Sequence, residues 1–134
     1  MRVVLDTNVI VSALTGTGPT KQLIVLWKEK KILPLLSKEG ADEILRVLTY
    51  PKFHLSGDEV QSLFERFLAY AEPVVIKKIS AVISADPTDD SFLACAIEGH
   101  AKYLVSGDHH LLDLGHYKTI PIITVKEFLS KFLV

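Results

Sequence analysis

The strongest constraint on the fold is a series of short, almost wholly apolar runs separated by segments of helical character. The runs are Val3-Val4-Leu5, Ile32 to Leu36, Pro73 to Ile76, Tyr103-Leu104-Val105 and Ile120 to Ile123. A strand with one face in water alternates apolar and polar residues, whereas a strand covered on both faces is continuously apolar. Between the runs lie helix signals. Val9-Ile10-Val11 leads into Ser12-Ala13-Leu14 as a short helix, followed by a loop at Gly16-Thr17-Gly18-Pro19. Leu23, Ile24, Leu26 and Trp27 fall at helical spacing within Thr20 to Lys30. Ser37 is a good N-cap for a helix reaching about Thr49, with Pro51 just beyond. Ser56-Gly57-Asp58-Glu59 is a capping box opening a long helix through Leu63, Phe64, Phe67, Leu68 and Ala71. Asp86-Pro87-Thr88-Asp89-Asp90 is a turn, with Thr88 or Asp89 as N-cap of a helix to about Glu98 and Gly99 as its stop. Thr124-Val125-Lys126-Glu127 caps a last helix. Strands alternating with helices predict an α/β fold: a three-layer α/β/α sandwich around a central parallel sheet of about five short strands.

The 134 residues suit one domain spanning 1–134, and 49% apolar content supplies a sizeable core. Polar residues break every apolar run well short of membrane-spanning length. Asp6 interrupts the first run too early for a signal peptide. The expectation is a soluble cytoplasmic protein with no membrane role. The single cysteine, Cys95, excludes an internal disulfide and a cysteine-based zinc site, and its apolar frame reads as core. A net charge of −1 excludes a broadly basic nucleic-acid footprint. Lys28, Lys30 and Lys31 form a local basic patch that reads as a solvated helix end.

Ligands of parallel sheets bind at the carboxyl ends of the strands. Asp6 directly follows the first run, and Asp108 follows the fourth after Ser106-Gly107. Asp86, Asp89 and Asp90 precede or open a helix that starts on the same edge, and Glu39, Asp42 and Glu43 occupy the first turns of another. Four chain segments thus bring acids to one edge. Gathered carboxylates repel one another unless a cation neutralises them. With hard oxygen donors and no Cys/His set, Mg²⁺ or Mn²⁺ is the expected ion. Such ions activate water and stabilise a leaving oxygen in phosphodiester hydrolysis. Each acid also has a plainer reading. Asp6 can be a turn former or helix cap, and Asp86 a turn residue before Pro87. Asp89 and Asp90 lie at similar angles to the stripe of Leu93, Ala94 and Ile97. Glu43 falls off the stripe of Ala41, Ile44, Leu45 and Leu48, which favours a solvated face. His109 and His110 read as a surface loop pair.

In order and spacing, the acids resemble the motifs of PIN-domain nucleases across nearly the whole chain. An apolar strand ends in Asp with Thr and Asn behind it in Val3-Val4-Leu5-Asp6-Thr7-Asn8. A helical Glu follows the second strand in Glu43-Ile44-Leu45-Arg46-Val47-Leu48. The pattern of Asp, two residues, Leu or Ile, then Ala selects Asp90 in Asp90-Ser91-Phe92-Leu93-Ala94. A strand ending in Ser, one residue, then Asp is Leu104-Val105-Ser106-Gly107-Asp108. The overall pattern looks most like the toxin branch of prokaryotic toxin–antitoxin pairs. The resemblance implies a Mg²⁺- or Mn²⁺-dependent endoribonuclease in which Asp6, Glu43, Asp90 and Asp108 hold metal and act in catalysis. It implies that Thr7, Asn8 and Ser106 orient carboxylates or water, and it suggests an RNA substrate, a homodimer and a small antitoxin partner. Gly40, a poor helix former one turn before Glu43, bears on where that helix begins.

Two other classes share parts of this pattern. A phosphoacceptor signalling domain also gathers acids at strand ends, but needs adjacent acids where Thr7 follows Asp6. A phosphatase of the haloacid-dehalogenase type needs a second Asp where Asn8 stands. A non-catalytic or regulatory module binding nucleic acid or protein could use the same fold, although the acid set is intact.

Overall fold

The computed structural model describes residues 1–16, 18–77 and 87–132. Its strands are β1 (Arg2–Leu5), β2 (Leu33–Leu36), β3 (Glu72–Pro73), β4 (Tyr103–Val105), β5 (His116–Tyr117) and β6 (Ile120–Ile123). Its α-helices are α1 (Thr7–Thr15), α2 (Lys21–Lys28), α3 (Lys38–Leu48), α4 (Gly57–Leu68), α5 (Pro87–Glu98), α6 (His109–Leu112) and α7 (Val125–Ser130). The strand order is β3-β2-β1-β4-β6-β5, parallel except for the pairing of β5 with β6.

Side-chain alternation explains why these strands are continuously apolar. Val3 and Leu5 enter one buried cluster with α1, α2, α3 and α4, while Val4 enters another with α5. Leu36 and Val105 join the first cluster, and Leu35 and Leu104 the second. Helices therefore cover both faces of a mostly parallel sheet, as the runs required. Trp27 and Phe67 pack edge to face at 5.3 Å in the first cluster. Among the described residues no single helix is long and apolar enough to cross a membrane.

Capping sets several boundaries. Asp6, Ser37, Ser56 and Thr124 each accept an amide hydrogen bond at a helix start, with full capping boxes at Ser56 and Thr124. Four expectations need correction. The third strand is Glu72–Pro73, extended by one bond from the Val74 amide to the Leu36 carbonyl, not Pro73 to Ile76. Its partner β2 ends where Ser37 caps α3, and Val75 is exposed, so nothing continues the ladder. The sheet has six strands among the described residues, because His116–Tyr117 adds an antiparallel edge through a turn with Lys118 at φ 53°. Helix α5 already includes Thr88 and Asp89, so neither is its cap, and Asp86 lies outside the described residues. The left-handed residue after α5 is His100, not Gly99. Gly99 is instead a contact glycine: a Cβ there would lie 2.6 Å from Leu35 Cδ1 and 3.1 Å from Val74 Cγ2.

Strand order reverses between β1 and β4, which continue to opposite edges of the sheet. Such a switch point opens a crevice beyond the carboxyl ends of its two strands. Asp6 and Ser106 are the first residues past those ends.

Candidate active site

Beyond the ends of β1 and β4 lies a small polar hollow of about 80 Å³, lined by Asp6, Thr7, Asn8, Glu43, Asp89, Phe92 and Asp108. Four carboxylates from four segments thus share one wall. Larger apolar grooves exist elsewhere, but none carries this set.

Asp6 is buried and has two structural tasks. Its Oδ1 accepts the Val9 amide at 3.0 Å and so caps α1. Its Oδ2 accepts the Ser106 hydroxyl. The alternative reading of Asp6 as a helix cap and the reading as a site acid are therefore both true. Burial raises its carboxyl above the usual aspartate range, against the Ser106 hydroxyl and the Val9 amide, which lower it; the Asp108 charge adds to the rise. Ser106 is fully buried, and its oxygen also accepts the Asp108 amide at 2.9 Å. One hydroxyl therefore ties Asp6 to the segment carrying Asp108. Asp108 is half-buried and caps α6 by accepting the His110 amide at 2.8 Å.

Thr7 is buried, and its hydroxyl oxygen has no hydrogen-bond partner among the described residues. A buried hydroxyl left unpaired costs about 1–3 kcal/mol, so such groups mark places where a water or ligand belongs. Asn8, the third residue expected to orient the acids, is exposed on the same wall.

Glu43 does not point into bulk solvent. Its side chain is 17% exposed and forms part of the wall, while its Oε2 accepts a hydrogen bond from Arg46. Gly40 explains how α3 can come so near. The glycine is buried at the helix start with its amide on Ser37 Oγ, and an added Cβ would stand 3.3 Å from Phe92 of α5. The helix starts at Lys38, so Gly40 does not delay it.

In the first turn of α5 both Asp89 and Asp90 are buried. Asp89 forms the wall of the hollow, whereas Asp90, the residue the sequence motif selects, does not belong to its lining. Periodicity had left these neighbours equivalent. Glu39 and Asp42 are exposed and stay away from the hollow. His109 and His110 are exposed on α6 rather than in a loop. Cys95 is buried, and burial pushes its thiol up to about 12, which suits a core residue.

The donors fit a hard divalent cation: carboxylate oxygens, an unsatisfied hydroxyl and an amide, with no histidine or cysteine on the wall. Among the described residues no three His, Cys, Asp or Glu side chains stand in ready-made coordinating geometry. The Asp6 carboxylate serves Ser106 and Val9, and that of Glu43 serves Arg46.

Comparison with known proteins bears on the family and the fold that carries this hollow. The sequence pattern of the family described as "PIN domain" matches residues 2–110. No curated protein sequence matches the chain. The fold is similar to that of VapBC2 from Rickettsia felis bound to a DNA fragment from their promoter, with TM-score 0.61 and 18% identity over 92% of this chain and 98% of that one. It is also similar to the PIN domain endonuclease Utp24, with TM-score 0.58 and 16% identity over 92% of this chain and 84% of that one.

Proposed function

The chain belongs to the PIN-domain family, whose members are generally nucleases, and on that premise we propose that it is a divalent-metal-dependent endoribonuclease. The observation that carries the reading is the hollow itself. Acids from four segments meet beside a buried hydroxyl that has no partner among the described residues.

Asp6, Glu43 and Asp108 would hold Mg²⁺ or Mn²⁺ together with the acid pair of α5, where the motif favours Asp90 and the wall carries Asp89. Held by these residues, such an ion would ease loss of a proton from water, giving a hydroxide able to attack phosphorus, and would offset the charge on the departing oxygen. The residues do the positioning. Ser106 fixes the rotamer of Asp6 and the backbone of Asp108, an indirect role that metal sites commonly require. The Thr7 hydroxyl can hold the attacking water, and the exposed Asn8 amide can meet the phosphodiester at the rim. Phe92 closes the wall on the α5 side.

The toxin role of a toxin–antitoxin pair, a small antitoxin partner, homodimer formation and a cytoplasmic location belong to the same proposal. The fold similarity to VapBC2 supports the toxin role and the partner. The test is RNA cleavage by preparations free of contaminating nuclease. The native protein should cleave RNA with Mn²⁺ or Mg²⁺ and stop on chelation, and Asp6→Asn should be inactive yet folded. Undiminished cleavage by Asp6→Asn would refute the reading.

A further inference from the structure

Glu43 on the wall of the hollow is engaged by a cation that the chain itself supplies. Arg46, one turn further along α3, donates from Nη2 to Glu43 Oε2. Its Nη1 donates to the hydroxyl of Tyr50, just beyond the end of the helix, at 3.0 Å. The two ends of the pair differ in exposure. The Glu43 side chain is 17% exposed, whereas that of Arg46 is 60% exposed. The carboxylate thus faces the hollow while the guanidinium approaches from solvent. A planar guanidinium can hold both partners at once through separate nitrogens.

We propose that Arg46 is an exchangeable counter-ion for Glu43, holding the carboxylate at the hollow until it yields it to a divalent cation. The proposal rests on the metal-site reading above. Arg46 is a positioning residue acting through Glu43. It keeps the carboxylate oriented and neutralised without a metal, so the four acids need not repel one another unshielded. Exchange requires Arg46 to give up one charged hydrogen bond. Its contact with Tyr50 does not involve Glu43 and survives, so the guanidinium stays at the edge of the hollow rather than returning to bulk solvent. A partly exposed pair of this kind is weak enough to be broken without large loss.

The test is a titration of the full chain with Mn²⁺ alone, followed by electron paramagnetic resonance of the free ion, which needs no RNA and no turnover. Arg46→Gln should bind Mn²⁺ more tightly than the native protein, by about two- to five-fold, the range corresponding to release of one partly exposed ion pair. Arg46→Lys should fall between the two, retaining the charge but not the fork. Lys52→Gln, which removes an exposed positive charge just beyond α3, should leave the affinity unchanged and so controls for net charge. Unchanged or weaker binding by Arg46→Gln, with the native protein binding saturably, overturns the exchange while leaving the metal site standing. An equal gain in Lys52→Gln also overturns it. Absence of saturable Mn²⁺ binding by the native protein refutes the metal site itself and this proposal with it.

Discussion

The hydroxyl of Ser106 donates to Oδ2 of Asp6, joining the carboxyl ends of two adjacent parallel strands across 100 residues of chain. The same oxygen accepts the Asp108 amide. Ser106→Ala should therefore lose a bond to a charged acceptor and leave the half-buried Asp108 amide without this partner. The expected cost is about 1.5–3 kcal/mol in urea unfolding. Mn²⁺ affinity should fall about 10- to 100-fold, as when other residues behind a metal site are removed. Loss of stability with unchanged affinity would reduce Ser106 to a purely structural link.

The pH dependence of stability follows from the burial of Asp6. Burial chiefly, and the Asp108 charge in addition, raise the folded carboxyl above its ordinary 3.8. The folded state therefore keeps this proton to higher pH than the unfolded state. The stability it contributes is fully present below about 3.8 and is lost as pH rises through the folded value. In chelator, unfolding of the native protein and Asp6→Asn at several pH values should show native stability falling relative to the variant as pH rises. Asparagine still caps α1, and its altered contact with Ser106 does not titrate, so the pH dependence of the difference isolates the charge. A relative gain by the native protein over that range would contradict the assignment.

The acid pair of α5 can be resolved by substitution. Asp90→Asn should remove most Mn²⁺ binding if the motif residue is the ligand, with Asp89→Asn weakening it by a smaller factor. We expect this order from the sequence motif, although Asp89 forms the wall. The larger loss in Asp89→Asn would transfer the role to that residue.

Gly99 lets three parts of the second core approach one another. Its missing Cβ would lie 2.6 Å from Leu35 Cδ1, 3.0 Å from the Cys95 carbonyl oxygen and 3.1 Å from Val74 Cγ2. Gly99→Ala should cost about 1–3 kcal/mol in urea unfolding, as overpacking does. Gly57, at the exposed start of α4, has nothing within 4 Å of an added Cβ. Gly57→Ala should stay within about 0.5 kcal/mol of the native protein. Equal effects at both glycines would show that backbone propensity, not close packing, governs Gly99.

What the sequence revealed depends on how far each signal acts. Val3-Val4-Leu5 was legible as a doubly buried strand because its neighbours on both faces are apolar whatever their origin. Ser37, Ser56 and Thr124 were legible because capping is local. The edge strand His116–Tyr117 was not, being two residues long and left through a turn with a left-handed lysine. Nor was the early end of β3, which depends on where its partner stops. Within the site, Asp6 and Asp108 followed from strand position alone. Glu43 looked solvated from its own helix pattern, because the surface it faces comes from the start of α1, from α5 and from the loop after β4. The difference between Asp89 and Asp90 depends on the rotation of α5, which an apolar stripe does not fix to one residue. Arg46 stands at the spacing of a helical ion pair from Glu43, but such pairs are common on solvated helix faces and do not by themselves mark a site.

The most direct measurement of the central claim is calorimetric titration of the metal-free protein with Mn²⁺, alongside Asp6→Asn checked for an unchanged fold by circular dichroism. Saturable binding by the native protein, lost in Asp6→Asn, is the predicted result. Absence of binding by the native protein, or equal affinity in the variant, would contradict the assignment of the acidic hollow as a metal site.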